Sequence, residues 1–333
     1  MKKYIMVTAA VLLIGGIIFY NSKGQNQESI PAKNNQPITI GVQVYPGYAP
    51  FYIAKERGLF KKYGVNVEIE QTTDNSLPAL ASGQIQMFAD TSDIMPVLAD
   101  AGIKAKQIFS TSKSNGADGL AVKNDIKSIK DLKGKKVYVE FGFPDHFFFR
   151  NLQKQAGVAR QDIELVNLDA ESAGAAFVAG KIDAAWTWEP FLSKTKQRKD
   201  GHILVTSRDA PELMAEDTVA ARDDLIANRR QDVENIMRAF FEAVDWWNKN
   251  LDAGNAIAAK AFKLTPEEFA PTRQNVTLAT LEINLEKFDK AKPWNVFEQS
   301  NRAAEVYYQD GIVKTRADAD ALTDASLLED LGR

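Results

Sequence analysis

One pattern of elements occurs twice in this chain, and it limits the architecture more than any other feature. In the first copy Ile38, Ile40, Val42 and Val44 alternate with polar residues or glycine as a strand, and Tyr45-Pro46-Gly47 reads as a turn. A helix over residues 50–57 closes at Gly58, a further turn closes at Gly64, and Val65, Val67 and Ile69 alternate as a second strand. A helix placed from Asn75 stops at Gly83, and Ile85, Met87 and Ala89 form a strand that ends in Asp90-Thr91-Ser92-Asp93. The order returns with a strand at 136–140, the turn Phe141-Gly142-Phe143-Pro144, and a helix over 145–156 closed by Gly157. A strand at 163–168, a helix from about Ser172 to Gly180 and a strand from Ile182 into Thr187-Trp188-Glu189-Pro190 complete it. Overlaid, Gly64-Val65 matches Gly157-Val158, Gly83-Gln84-Ile85 matches Gly180-Lys181-Ile182, and Ser92 falls opposite Glu189. Alternating strand and helix periods predict α/β lobes, and two copies predict a cleft between two lobes.

From about Thr218 the pattern changes to amphipathic helices, predicted at 232–248, 251–263, 265–273 and 294–310. They are assigned to the outer faces of the first lobe, which then comprises residues 37–120 plus 217–333, with 121–216 as the second. Residues 118–124 and 218–222 would be the crossings between lobes, and a chain that crosses twice makes a hinge. Residues 317–333 read as a surface helix or a frayed tail.

Ahead of the first strand, two lysines in the first four residues and an uncharged run over 5–20 have the form of an export signal. Residues 1–24 are therefore expected to act as an export signal or signal anchor, and 25–36 as a polar linker. The expected address is the periplasm or the outer face of the cytoplasmic membrane. Charge and reactive side chains exclude several function classes. Forty-one Lys plus Arg against 44 Asp plus Glu give a net charge of −3, too balanced for a phosphate-neutralising surface, so no nucleic-acid partner is expected. With no cysteine and only His146 and His202, far apart in sequence, neither a thiolate nor an imidazole metal site is expected.

Particular stretches carry a family resemblance: Ile40-Gly41-Val42 through Tyr45-Pro46-Gly47-Tyr48, residues 51–60, Lys62-Tyr63-Gly64-Val65, residues 131–137, and Trp188-Glu189-Pro190. In these the chain resembles periplasmic solute-binding proteins of the nitrate, taurine and sulfonate type, a group that includes thiamine-pyrimidine binders. The resemblance implies a two-lobed type II periplasmic-binding-protein architecture with a hinge and an interlobe ligand cleft. It also implies a monomer that captures a small-molecule ligand, a sulfonate, amine or heteroaromatic solute, and delivers it to the membrane permease of an ABC importer with its ATPase. Alternatives are a binder of a thiamine-pyrimidine precursor, a sensory ligand-binding protein, or a thiamine-pyrimidine synthase-like enzyme. Such synthases carry a cysteine-rich active-site stretch that this chain lacks. Lipoprotein members carry an anchoring cysteine, absent here too.

In open α/β sheets the ligand lies beyond the carboxyl ends of the strands. That places Tyr45, Tyr48, Thr91, Ser92, Gly142, Phe143, His146, Trp188 and Glu189 as the ligand-binding candidates, with residues 114–118 as a further segment near the hinge. Helix starts after Ser92 and Pro144 are suited to an anionic head, while the aromatics and Asp90, Asp93, Asp145 and Glu189 suit an amine, a zwitterion or a flat heterocycle. Trp186 is assigned to the core and Asp93 to a helix cap. No nucleophile–base pair, phosphate loop or dinucleotide fingerprint is visible, so neither catalysis nor a cofactor is expected.

Overall fold

The computed structural model describes residues 36–72 and 76–332. The expected export signal, nearly all of the linker and the helix start at Asn75 lie outside them. None of the described helices is long and apolar enough to cross a membrane.

Among the described residues, eleven strands form two separate sheets. In chain order they are β1 (Ile38–Val42), β2 (Val67–Gln71), β3 (Met87–Thr91), β4 (Ala105–Ser114), β5 (Asp118–Lys123), β6 (Lys136–Val139), β7 (Glu164–Asn167), β8 (Ala184–Trp188), β9 (Gly201–Thr206), β10 (Glu216–Arg222) and β11 (Val276–Leu278). The first sheet runs β11-β4-β10-β3-β1-β2 and the second β9-β5-β8-β6-β7. Apart from the edge strand β11, the two orders are the same. Each sheet has three parallel strands followed by one antiparallel strand, β10 in the first and β5 in the second.

Each antiparallel strand is contributed by chain arriving from the other lobe. β4 of the first sheet leads through residues 115–117 into β5 of the second, and β9 of the second leads through 207–215 into β10 of the first. The stretches expected as crossings, 118–124 and 218–222, are thus strands inside the sheets, and the passages lie just before them. Val219, Ala221, Leu120 and Val122 are fully buried, which draws these segments into the sheets.

The first lobe's main core joins one face of its sheet to the helices Ala49–Glu56, Asp223–Lys249 and Leu251–Ala261, while Phe88 and Ala220 on the other face pack with Leu80 and Leu98. Phe240 packs 4.8 Å from Phe51 and 5.1 Å from Phe109, in the tilted and edge-on geometries that aromatic quadrupoles favour. Gly254 lets the last two helices meet at Trp247, since a β-carbon there would lie 2.0 Å from the indole Cδ1. The helix expected from Asp232 begins at Asp223 instead and breaks at Arg229 (φ −137°, ψ 36°). At that break the guanidinium bonds Asp232 and the carbonyl of Gln36. In the second lobe Trp186 is fully buried against Phe148, as the core assignment required.

The C-terminal stretch is not a frayed tail. Leu327 and Leu328 of the helix Ser326–Gly332 are buried, and Gln107 of β4 bonds the backbone of Leu322 and Asp324 as well as Thr323 Oγ1.

Candidate functional site

Five strand ends converge between the lobes. β1 ends at Val42, and the chain then presents Gln43 and Tyr45 before a short 3-10 turn, Pro46–Tyr48. Gly47 holds that turn against β4, because a β-carbon would lie 1.9 Å from Ser112 Oγ. β3 brings Asp90 and Thr91, and Asp217 at the start of β10 stands opposite Thr91. In the second lobe Asp118 at the start of β5 stands opposite Trp188 at the end of β8. Together Gln43, Tyr45, Tyr48, Asp90, Thr91 and Asp217 from one side, and Pro144 and Trp188 from the other, enclose a narrow cavity. Asp118 and Met214, beside the two crossings, complete its wall. The space left inside admits about one water molecule.

No lysine, arginine or histidine lines this cavity, whereas three aspartates do. All three are buried: Asp90 3%, Asp118 2% and Asp217 2% exposed. Asp90 accepts from Thr91 N (2.7 Å), Thr91 Oγ1 (3.0 Å) and Gln43 Nε2 (3.4 Å), and Asp217 accepts from Ser112 Oγ. Asp118 Oδ2 and Tyr45 Oη are buried without a hydrogen-bond partner. Burial raises Asp118 to about 7 and carries Asp90 and Asp217 well above the usual carboxylate range. Burial and the nearby aspartates likewise push the Tyr45 and Tyr48 hydroxyls up. The tyrosine rings lie 5.3 Å apart and tilted.

Of the nine residues expected at the ligand, four line the cavity: Tyr45, Tyr48, Thr91 and Trp188. The other five sit nearby in different roles. Ser92 is buried against the helix Val296–Gln309, its hydroxyl donating to Gln299 (2.8 Å) and its carbonyl accepting from Ser300 (2.7 Å). Gly142 (φ 85°) donates its N–H to His146 Nδ1 (3.3 Å) and packs against Val97 and Ile312. Phe143 gives its carbonyl to the hydroxyl of Tyr307 (2.9 Å) and packs among apolar residues of the first lobe. His146 Nε2 lies 2.7 Å from Asp310 Oδ2, a carboxylate that Arg150 and Arg160 also bind.

Glu189 accepts from Ser193 N (3.1 Å) and Oγ (2.8 Å) at the start of the helix Phe191–Thr195, and from Asn275 Nδ2 (3.2 Å) of the first lobe. The helix starts proposed for an anionic head carry their own carboxylates. Asp93 bonds Tyr307 at one, and Asp145 accepts from Glu140 N at the other. Burial raises Asp93 to about 6 and Asp145 well above the usual range. Asp217 and Gln43 were missed in the sequence. The available signal for Asp217 was its likeness to Asp118, since each precedes a buried run that opens a crossing strand. Among the described residues no group of His, Cys, Asp and Glu is arranged to hold a metal ion.

This architecture and sequence have relatives. A protein from Bacillus subtilis, provisionally named an aliphatic sulfonates-binding protein, is 30% identical over 263 residues, covering 76% of each chain. The taurine-binding periplasmic protein of Escherichia coli is 28% identical over 175 residues, 52% of this chain and 54% of that one. The crystal structure of the periplasmic aliphatic sulphonate binding protein SsuA from Escherichia coli superposes with a TM-score of 0.73 at 20% identity, covering 88% of this chain and 99% of that one. The family model described as NMT1/THI5 like matches residues 45–252, from the first cavity tyrosine through the whole second sheet and back past β10. More than half of the chain falls within that match, and the protein belongs to the NMT1/THI5-like family.

Proposed function

We propose that this protein is the solute-binding component of an ABC-type importer, taking a small organic solute into the cavity between its lobes and passing it to a membrane permease served by an ATPase. The observation that carries the reading is the cavity itself: it lies at the carboxyl ends of strands from both sheets, and it holds a buried carboxyl oxygen, Asp118 Oδ2, and a buried hydroxyl, Tyr45 Oη, that make no hydrogen bond of good geometry, although Ser114 and Asp217 act on the hydroxyl. Buried donors and acceptors are nearly always satisfied, so a solute is the natural partner for these two. A cavity with room for about one water cannot admit such a solute unless the lobes part. In this reading the two passages between the sheets, residues 115–117 and 207–215, supply the hinge, and they move the expected lobe boundaries at 120 and 216 back to the starts of β5 and β10. The names of the relatives, binders of taurine and aliphatic sulfonates, support the transport role. The expected export signal would deliver a monomer to the periplasm or the outer face of the membrane.

Solution scattering of the purified chain with and without a panel of taurine, alkanesulfonates, nitrate, amines and aminopyrimidines tests this. A cognate solute reduces the radius of gyration and is recovered unchanged. Catalytic conversion of a panel member, or a radius unmoved by every compound, would overturn the reading.

A further inference from the structure

Resting on the solute-binding reading, we infer that the solute is an organic cation, held by Asp118 and Asp217 and stacked among Tyr45, Tyr48 and Trp188, rather than a sulfonate or nitrate. The cavity wall offers three carboxyl groups and no cationic side chain. Nearby cations are already committed: Lys113 lies 3.2 Å from Glu216, and Arg150 binds Asp310. Beyond the wall stand further acids, since Asp93 and Glu140 both act on Asp90, and Glu189 and Asp93 act on Asp118. An anion placed here would enter a field of buried acidic groups with no counter-charge, which is the costly arrangement for any ion in a low-dielectric interior. A cation meets the opposite situation. It gives Asp118 Oδ2 the donor that the protein lacks, and the π faces of Tyr48 and Trp188 attract positive charge.

The topology adds a second argument. Asp217 belongs to the sheet of the first lobe and Asp118 to that of the second, so closing the lobes brings acids of both sheets to one cavity. Their ionised forms repel each other across the closing interface. A cation bound between them removes that repulsion only in the closed form, so its affinity is spent on closure. At neutral pH part of the acidic cluster holds protons, and an arriving cation displaces them. Cation binding is therefore accompanied by proton release and strengthens as pH rises, whereas an anion would take up protons and bind better in acid.

The test is calorimetry of the full chain at pH 6 and pH 8, in buffers of different ionisation enthalpy. The probes are tetramethylammonium and 4-aminopyridinium on one side, and ethanesulfonate and nitrate on the other. The expected result is binding of a cation, stronger at pH 8, with net release of protons. Asp118→Asn should weaken that binding at least about 30-fold, the low end for removing one partner of a buried charged pair. Trp188→Leu, which leaves every carboxylate in place, should weaken it as well, so a poorly folding aspartate variant does not leave the matter open. Tight binding of ethanesulfonate or nitrate with compaction and proton uptake would overturn the cation assignment and leave the solute-binding reading standing. If no probe binds and none compacts the chain, both fail.

Discussion

Asp118 and Asp217 occupy equivalent places in two sheets of the same strand order. Each stands at the start of the antiparallel strand that enters from the other lobe, and each faces the last residue of a parallel strand, Trp188 for Asp118 and Thr91 for Asp217. At this equivalent place each sheet delivers a buried carboxyl group to the same cavity, and Asp90 of the first sheet adds a third.

Those carboxyl groups make the unliganded protein less stable as pH rises. Asp118 is raised to about 7 and Asp93 to about 6 by burial, against an unfolded value near 3.9. Between these values the folded chain holds protons that the unfolded chain has lost, so stability is full below about pH 4 for these groups and declines through pH 6–7. Thermal melts of the ligand-free chain should show a lower Tm at pH 8 than at pH 5. Asp118→Asn should flatten the decline. A Tm that climbs steadily from pH 5 to pH 8 would show that these acids ionise freely in the folded state.

Glu189 gives a contrasting prediction. Its carboxylate caps the Phe191–Thr195 helix through Ser193 and reaches Asn275 in the other lobe. Glu189→Ala should therefore cost stability, about 1–2 kcal/mol for the lost cap, without changing which charge class of solute binds. Denaturant unfolding and a repeat of the ligand panel check the two halves. A switch in ligand charge preference would return Glu189 to the site.

Close packing at Gly254 is testable without any ligand. Its missing side chain is filled by Trp247, whose Nε1 also donates to Asn255 Oδ1 (3.1 Å). Gly254→Ala forces the indole or the helix Leu251–Ala261 to move, and should destabilise by roughly 1–3 kcal/mol as overpacking does, despite alanine's better helix propensity. A neutral or stabilising result in urea unfolding would show that the two helices slide apart at little cost.

Much of this architecture was legible because its signals are local. Glycines that close helices, such as Gly64, Gly83, Gly157 and Gly180, all adopt positive φ, and alternation marked the strands between them. What escaped depends on contacts far apart in sequence. Whether Tyr48 faces a cavity and His146 a neighbouring helix is decided by the packing of one lobe on the other, which has no period to read. Ser92 and Glu189 were aligned correctly at equivalent strand ends, yet Ser92 meets Gln299 and Glu189 meets Asn275, partners from the C-terminal helical region that the repeat does not contain. Asp217 was overlooked for a related reason: β10 was taken as a link, and the acid at its start gained meaning only once β5 and β10 were seen as equivalent strands.

A second contact joins the lobes away from the cavity. Asp310, at the end of the helix Val296–Gln309 on the first lobe's side, binds His146 Nε2 (2.7 Å) and Arg150 Nε (2.7 Å) from the helix Pro144–Gln155, and Arg160 as well. Burial opposes ionisation of Asp310, but the bonds from His146 and Arg150 outweigh it and hold its carboxyl below the usual range. Burial lowers His146, so this imidazole is neutral near pH 7 and serves chiefly as a donor to the carboxylate. Asp310→Ala strips three groups of their common acceptor. Losing one partner of a buried ionic contact costs about 3–5 kcal/mol, and partial exposure of Arg160 places this case at the lower end. If the contact forms only when the lobes are together, that loss falls on the closed state. Solute affinity then drops through a faster dissociation rate, while the association rate stays near that of the wild type. Stopped-flow binding separates the two rates. A lower Tm with both rates unchanged would mean that the cluster persists in the open form and acts as part of the hinge.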